Sequence, residues 1–163
     1  MEKRLISVFG LICLMIAGAG AIVALEGQTP GHPDFSGVWN LNLKESLLQI
    51  PPPDSGIFRI EHKDPVFHLS RTFVRAGRED TWEIEITTDG KEAVQEGKTE
   101  TFRGRLTWQG DDLFLDSTIS IGARTATNKV AYHLSNDGRR LTATESFRGP
   151  RLKYDNVWVF DKE

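Results

Sequence analysis

The sequence predicts an all-β protein: an antiparallel up-and-down meander barrel of roughly eight to ten strands, preceded by a signal peptide. Three observations carry this. From Ile57 to Phe160, apolar and polar residues alternate with the period of a half-buried strand, and no stretch shows a convincing helical period. Compact Gly- and Asp-containing turns separate the alternating runs. All connections are short, so the set must hide its edges, and closing into a barrel is the simplest way; a two-sheet sandwich would need longer crossovers.

The chain begins with a basic pair, Lys3 and Arg4, followed by an apolar run from Leu5 to Leu25. A basic start, an apolar middle and small residues near its end have the form of a secretory signal. Cleavage after Ala21 or, preferably, Ala24 gives a signal peptide over 1–24, a linker over 25–33 and a barrel over 34–163. The same run is about as long as the ~20 residues a spanning helix needs, so an uncleaved anchor over residues 5–25 is the rival reading. Cys13 follows Ile12, where a lipidated cysteine wants a small residue, and reads as filler of the apolar run. Either way the segment exports the barrel, to the periplasm or outside the cell. Membrane contact is expected only through that anchor.

Composition narrows the function. The formal net charge is −3, and losing residues 1–24 removes Lys3, Arg4 and Glu2, leaving a more acidic domain. Such a domain lacks the basic footprint of a nucleic-acid binder. Cys13 is the single cysteine, so the mature barrel has no disulfide, thiol nucleophile or cysteine metal site, and packing must stabilise it.

The first strand lies in Asp34–Asn42, around Gly37-Val38-Trp39. The segment from Lys44 to Gly56 allows one helical turn at Glu45–Gln49. Pro51, Pro52 and Pro53 then impose a stiff extended path, read as a crossing over one barrel end. Further strands are expected near 57–62, 66–75, 80–88, 91–95, 99–108, 112–121, 124–134, 140–148 and 153–161. Lys63-Asp64-Pro65, Ala76-Gly77-Arg78, Gln109-Gly110-Asp111-Asp112, Gly122-Ala123 and Asn136-Asp137-Gly138 supply turns. Thr88-Asp89-Gly90-Lys91 carries the Asp-Gly pair favoured in tight hairpins. Alternation turns Trp39, Leu41, Leu43, Phe58, Phe67 and Trp82 inward, with Leu106, Ile121, Tyr132 and Trp158 among the later ones.

Gly37-Val38-Trp39 on the first strand of an exported meander resembles the lipocalins and their relatives, the fatty-acid-binding proteins. The longer run from Pro33 to Asn42 is similar to the start of exported bacterial lipocalin-like domains. Ile60–Pro65, Thr88–Glu92, Leu106–Leu113 and Leu134–Gly138 also resemble that group, over roughly residues 33–161. The resemblance implies a barrel open at one end, often for an apolar small molecule. It also implies that the Trp39 indole packs across the closed end against a late basic residue, for which Arg148, Arg151 and Lys153 are candidates. The chain lacks the helical pair after the first strand and the helix after the last that these families carry.

Polar residues on the inner face are the informative ones, because a buried polar group must find a partner. Arg71, Ser117, Asn128, Glu145, Asn156 and His62 fall there. Arg71 has the planar donors to anchor an anionic head group, with Glu145, Asn128 and Tyr132 at the polar end of a cavity and Trp82 in its wall. Alternatively Arg71 and Glu145 pair with each other. His32, His62, His68 and His133 show no metal-ligand spacing, and no nucleophile elbow occurs. No cofactor or metal is expected. The resulting expectation is a monomeric barrel that binds a small, mostly apolar molecule, with Gly37 and Trp39 as structural residues. The alternative is a filled barrel acting as an envelope or extracellular interaction module; a hydrolase or isomerase fits least.

Overall fold

The computed structural model describes residues 31–163, so the signal or anchor segment lies outside the described residues. Ten antiparallel strands succeed one another: β1 (Gly37–Leu41), β2 (Ser55–Lys63), β3 (Val66–Arg75), β4 (Arg78–Thr87) and β5 (Ala93–Glu96). Then come β6 (Thr101–Gln109), β7 (Asp112–Ile121), β8 (Arg124–Leu134), β9 (Arg140–Arg148) and β10 (Lys153–Lys162). Each strand pairs with its sequence neighbours except β4 with β5, and β1 also pairs with β10. The result is an all-β meander closed into a barrel apart from one seam, between β4 and the β5–β6 pair. The Trp82 and Phe102 rings meet edge-on there, 5.4 Å apart.

Local chemistry sets most turns. Ala76 and Gly77 both take positive φ (49° and 70°), the geometry that lets a two-residue loop join Arg75 to Arg78 without splaying the strands. Asp89-Gly90 behaves differently from the hairpin expected of it. The Gly90 amide donates to the Leu106 carbonyl (3.0 Å) and Asp89 bridges Thr107, so the chain leaves β4 and crosses to β6. That crossing creates the seam.

The segment between β1 and β2 also departs from expectation. Its helical turn sits earlier, where the Ser46 amide donates to the Asn42 carbonyl (3.1 Å). Leu47 then resumes pairing with Val157 of β10, so the segment acts as a bulged continuation of β1 along the barrel wall. Gln49 is fastened to β10 at two points, its amide donating to Asn156 Oδ1 (2.8 Å) and its Oε1 accepting from the Asp155 amide (2.9 Å). Ile50, Pro51 and Pro52 then pass over the interior. Leu43 and Ile121, placed inside by alternation, are exposed (Ile121 at 52%), because each lies where its strand gives way to a turn.

The core concentrates at one end. Phe35, Trp39, Phe67, Leu106, Leu113, Leu141 and Phe160 are almost completely buried. Each such side chain contributes about 1.5–3 kcal/mol on removal from water. The Trp39 indole donates to the Phe35 carbonyl (3.0 Å), and Lys162 Nζ lies 5.0 Å from the ring centre. The late basic residue is therefore Lys162, whose backbone is paired with Trp39. Arg148 ends β9, Arg151 lies in the loop after it and Lys153 opens β10, all at the opposite end of β10 from Lys162. Arg148 there holds Asp155 with two hydrogen bonds (2.7 and 2.9 Å). Gly37 adopts φ 146°, and a Cβ on it would come within 2.7 Å of Lys162 Cε.

Candidate functional site

Away from this packed end the barrel is hollow. A cavity of about 690 Å³ lies between the β2–β4 wall, the β6–β10 wall and the Pro-rich segment. Phe58, Leu69, Phe73, Phe102, Leu115 and Trp158 give it an apolar surface. All five residues expected from the sequence to meet a ligand line it: Arg71 from β3, Trp82 from β4, Asn128 and Tyr132 from β8, and Glu145 from β9. Alternation explains the gathering, since each holds an inward position on its strand.

Arg71 and Glu145 are not paired with each other. Arg71 Nη2 contacts Asp80 Oδ2 at 3.1 Å, and the guanidinium lies 5.1 Å from the Phe73 ring centre and 5.8 Å from that of Trp82. Its Nε has no hydrogen-bond partner among the described residues. Glu145 instead accepts from neutral donors on β10. Trp158 Nε1 and Asn156 Nδ2 donate to Oε2 at 2.8 and 3.2 Å, and the Tyr154 hydroxyl lies 3.5 Å from Oε1. The Tyr154 phenol is pushed up to about 12, first by burial and then by the negative charge of Glu145. Burial likewise raises Tyr132, reinforced by Glu145 and opposed by Arg71. Ser117 Oγ donates to the Asn128 carbonyl (2.9 Å), whereas Asn128 Oδ1 has no partner among the described residues.

Two residues gain a role that the sequence did not reveal. Asp80, partner of Arg71, stands two positions before Trp82 on the same face of β4; that parity was the available signal. Asn156 was legible as an inward polar residue, but its use was not. It is 1% exposed and joins Glu145 to the Gln49 amide, tying the cavity wall to the Pro-rich segment. His62, also inward, lies at the other end, its side chain 3% exposed beside Phe35, Phe67 and Trp108. It contributes to packing there and not to the cavity.

The fold, a nearly closed ten-stranded antiparallel meander barrel of lipocalin-like architecture, recurs in solved structures. Secretory abundant heat soluble protein 4 from Ramazzottius varieornatus has a similar fold, with 18% identity, TM-score 0.57, and coverage of 83% of this chain and 99% of that one. A second secretory abundant heat soluble protein from the same organism matches at 11% identity and TM-score 0.54, covering 78% and 94%. Zebrafish ileal bile acid-binding protein complexed with cholic acid matches at 19% identity and TM-score 0.49, covering 79% and 98%. No family model matches the chain, and neither does any curated protein sequence.

Proposed function

We propose that this protein is an exported carrier or receptor barrel that binds a small, mostly apolar molecule in its interior. The observation that carries the proposal is the cavity of about 690 Å³. Ligand pockets are concave, largely apolar and furnished with a few convergent polar groups. Here Phe58, Leu69 and Trp158 supply the apolar body, and Arg71, Asn128 and Glu145 the polar groups. Trp82 and Tyr132 would flank the bound molecule. A barrel filled by its own side chains would leave no such space. The apolar run over residues 5–25 supports export, to the periplasm or beyond.

Titration of the purified barrel with an environment-sensitive apolar fluorophore tests the binding claim. Saturable binding with blue-shifted emission, displaced by a long-chain amphiphile, is expected. Absence of saturable binding by every amphiphile tried sinks it. Mass analysis of protein recovered from the expressing cell tests the export claim: a mature chain beginning near Leu25 is expected, and a cytoplasmic full-length chain refutes it.

A further inference from the structure

The charges lining the cavity are unbalanced. Four carboxylates, Asp54, Asp80, Glu100 and Glu145, face two guanidiniums, Arg71 and Arg75. Arg71 already has a counter-ion in Asp80, and Arg75 stacks over Phe73 at 5.8 Å. Glu145 has no cationic partner within ion-pair distance among the described residues. Its three donors satisfy lone pairs without supplying a compensating charge. They are also distributed unevenly: Oε2 takes both shorter hydrogen bonds, and Oε1 has just the 3.5 Å contact from Tyr154. A carboxylate held in place, with no cation at ion-pair distance among the described residues and with acceptor capacity left on one oxygen, can receive a donor that carries positive charge.

The surrounding rings suit the same ligand. Trp158 and Tyr154 both touch Glu145 through their polar atoms, and Trp158 stacks on Phe73 at 5.1 Å. Trp158 and Tyr154 each have one face stacked on a phenylalanine, so the attraction of an ammonium group to a ring quadrupole falls to the remaining ring surface of the cavity, which Trp82, Tyr132 and Trp158 line. The apolar remainder of the cavity accommodates a hydrocarbon body.

We propose that the cavity selects a lipophilic amine, bound as its ammonium ion, with Glu145 Oε1 as the counter-ion. Asn156 is then a positioning residue, holding the carboxylate and linking it to the Gln49 amide of the Pro-rich segment. This inference rests on the small-molecule reading above and narrows it. It assigns the polar selectivity to Glu145, in contrast to an anion held by Arg71.

The test compares three probes that share one hydrocarbon chain: dodecylammonium, dodecanol and dodecanoate, titrated below their micelle concentrations. Dodecylammonium is expected to bind tightest, by about ten- to a hundredfold over dodecanol, the usual worth of a hydrogen bond to a charged group. Glu145→Gln should abolish that preference, bringing the affinity for dodecylammonium down to that for dodecanol or below. Arg71→Gln keeps Glu145 untouched and should preserve or increase the preference, so the proposal stays testable even if the Glu145 variant misfolds. Tightest binding of dodecanoate, or a preference indifferent to Glu145→Gln, overturns the amine proposal while leaving the carrier reading standing. Failure of all three probes to bind a folded barrel overturns both.

Discussion

The two ends of this barrel are built from the same ten strands and the same alternation, yet one is solid and the other hollow. At the solid end Phe35 and Trp39 close the interior, with Lys162 over the indole and the His62 ring packed among Phe35, Phe67 and Trp108. Polar atoms there mainly serve closure: the Trp39 indole binds the Phe35 carbonyl, and Ser36 and His62 exchange hydrogen bonds through the Ser36 hydroxyl. At the hollow end Glu145, Asn128 and Arg71 face space, and two of the three buried side-chain atoms without a hydrogen-bond partner among the described residues, Arg71 Nε and Asn128 Oδ1, lie there; the third, His62 Nε2, lies at the solid end, 3.7 Å from Asp64 Oδ1. Unsatisfied polar atoms cost stability; the two beside the cavity face space that a ligand could fill, whereas His62 Nε2 is enclosed by packed rings. Close packing is thus concentrated at one end, and the recognition proposed for this barrel falls to the other.

That division can be broken from either side. Trp39→Ala should give the largest loss of stability, about 3–5 kcal/mol, because a fully buried indole leaves a cavity its neighbours cannot refill. Denaturant unfolding measures it, and a loss below about 1 kcal/mol would mean that the end is not the solid anchor described. Gly37→Ala should cost about 1–3 kcal/mol, since φ 146° is open to glycine and strained for alanine. Relief of the Lys162 contact by Lys162→Ala in the double mutant would separate backbone strain from crowding.

Ala143 is 2% exposed and lines the cavity, so Ala143→Leu occupies ligand space. Amphiphile affinity should fall about tenfold, with stability unchanged or raised by up to ~1 kcal/mol. An equal drop in binding and stability would count against the separation of roles.

Acid should act on the solid end. Hydrogen bonds from Thr88 and then Trp108 hold the Asp64 carboxyl below its ordinary value, and those from Asn42 and then Arg140 do the same for Asp161. A depressed folded-state value means that the stabilisation is complete above the unfolded carboxylate range and is lost as pH falls through the folded value. Stability should therefore decline below about pH 4, and Asp64→Asn should flatten part of that decline. An unaltered pH profile in Asp64→Asn would remove this carboxylate from the account. The smallest effect is expected of Lys162→Met, about 0.5–1 kcal/mol for the lost cation–ring attraction at an exposed site, with amphiphile binding unaffected.

Much of this molecule is legible in one dimension. Strand alternation and turn chemistry are local properties, and they suffice for an all-β meander and for the inward placement of Trp39, Arg71, Trp82, Asn128, Tyr132 and Glu145; the structural reading of Gly37 and Trp39 comes from the resemblance to the lipocalins. Asp80 and Asn156 share that inward parity, but parity does not name a partner. The tertiary structure decided which groups meet: Arg71 with Asp80, Glu145 with the donors of β10, and Trp39 with Lys162 in place of Arg148, Arg151 or Lys153. It also decided that Asp89-Gly90 opens a seam where local chemistry favours a hairpin. The physical reason is common to these cases. A period of two specifies the face of a strand, whereas the partner across a barrel depends on the register around the sheet and on its closure, which long-range pairings set.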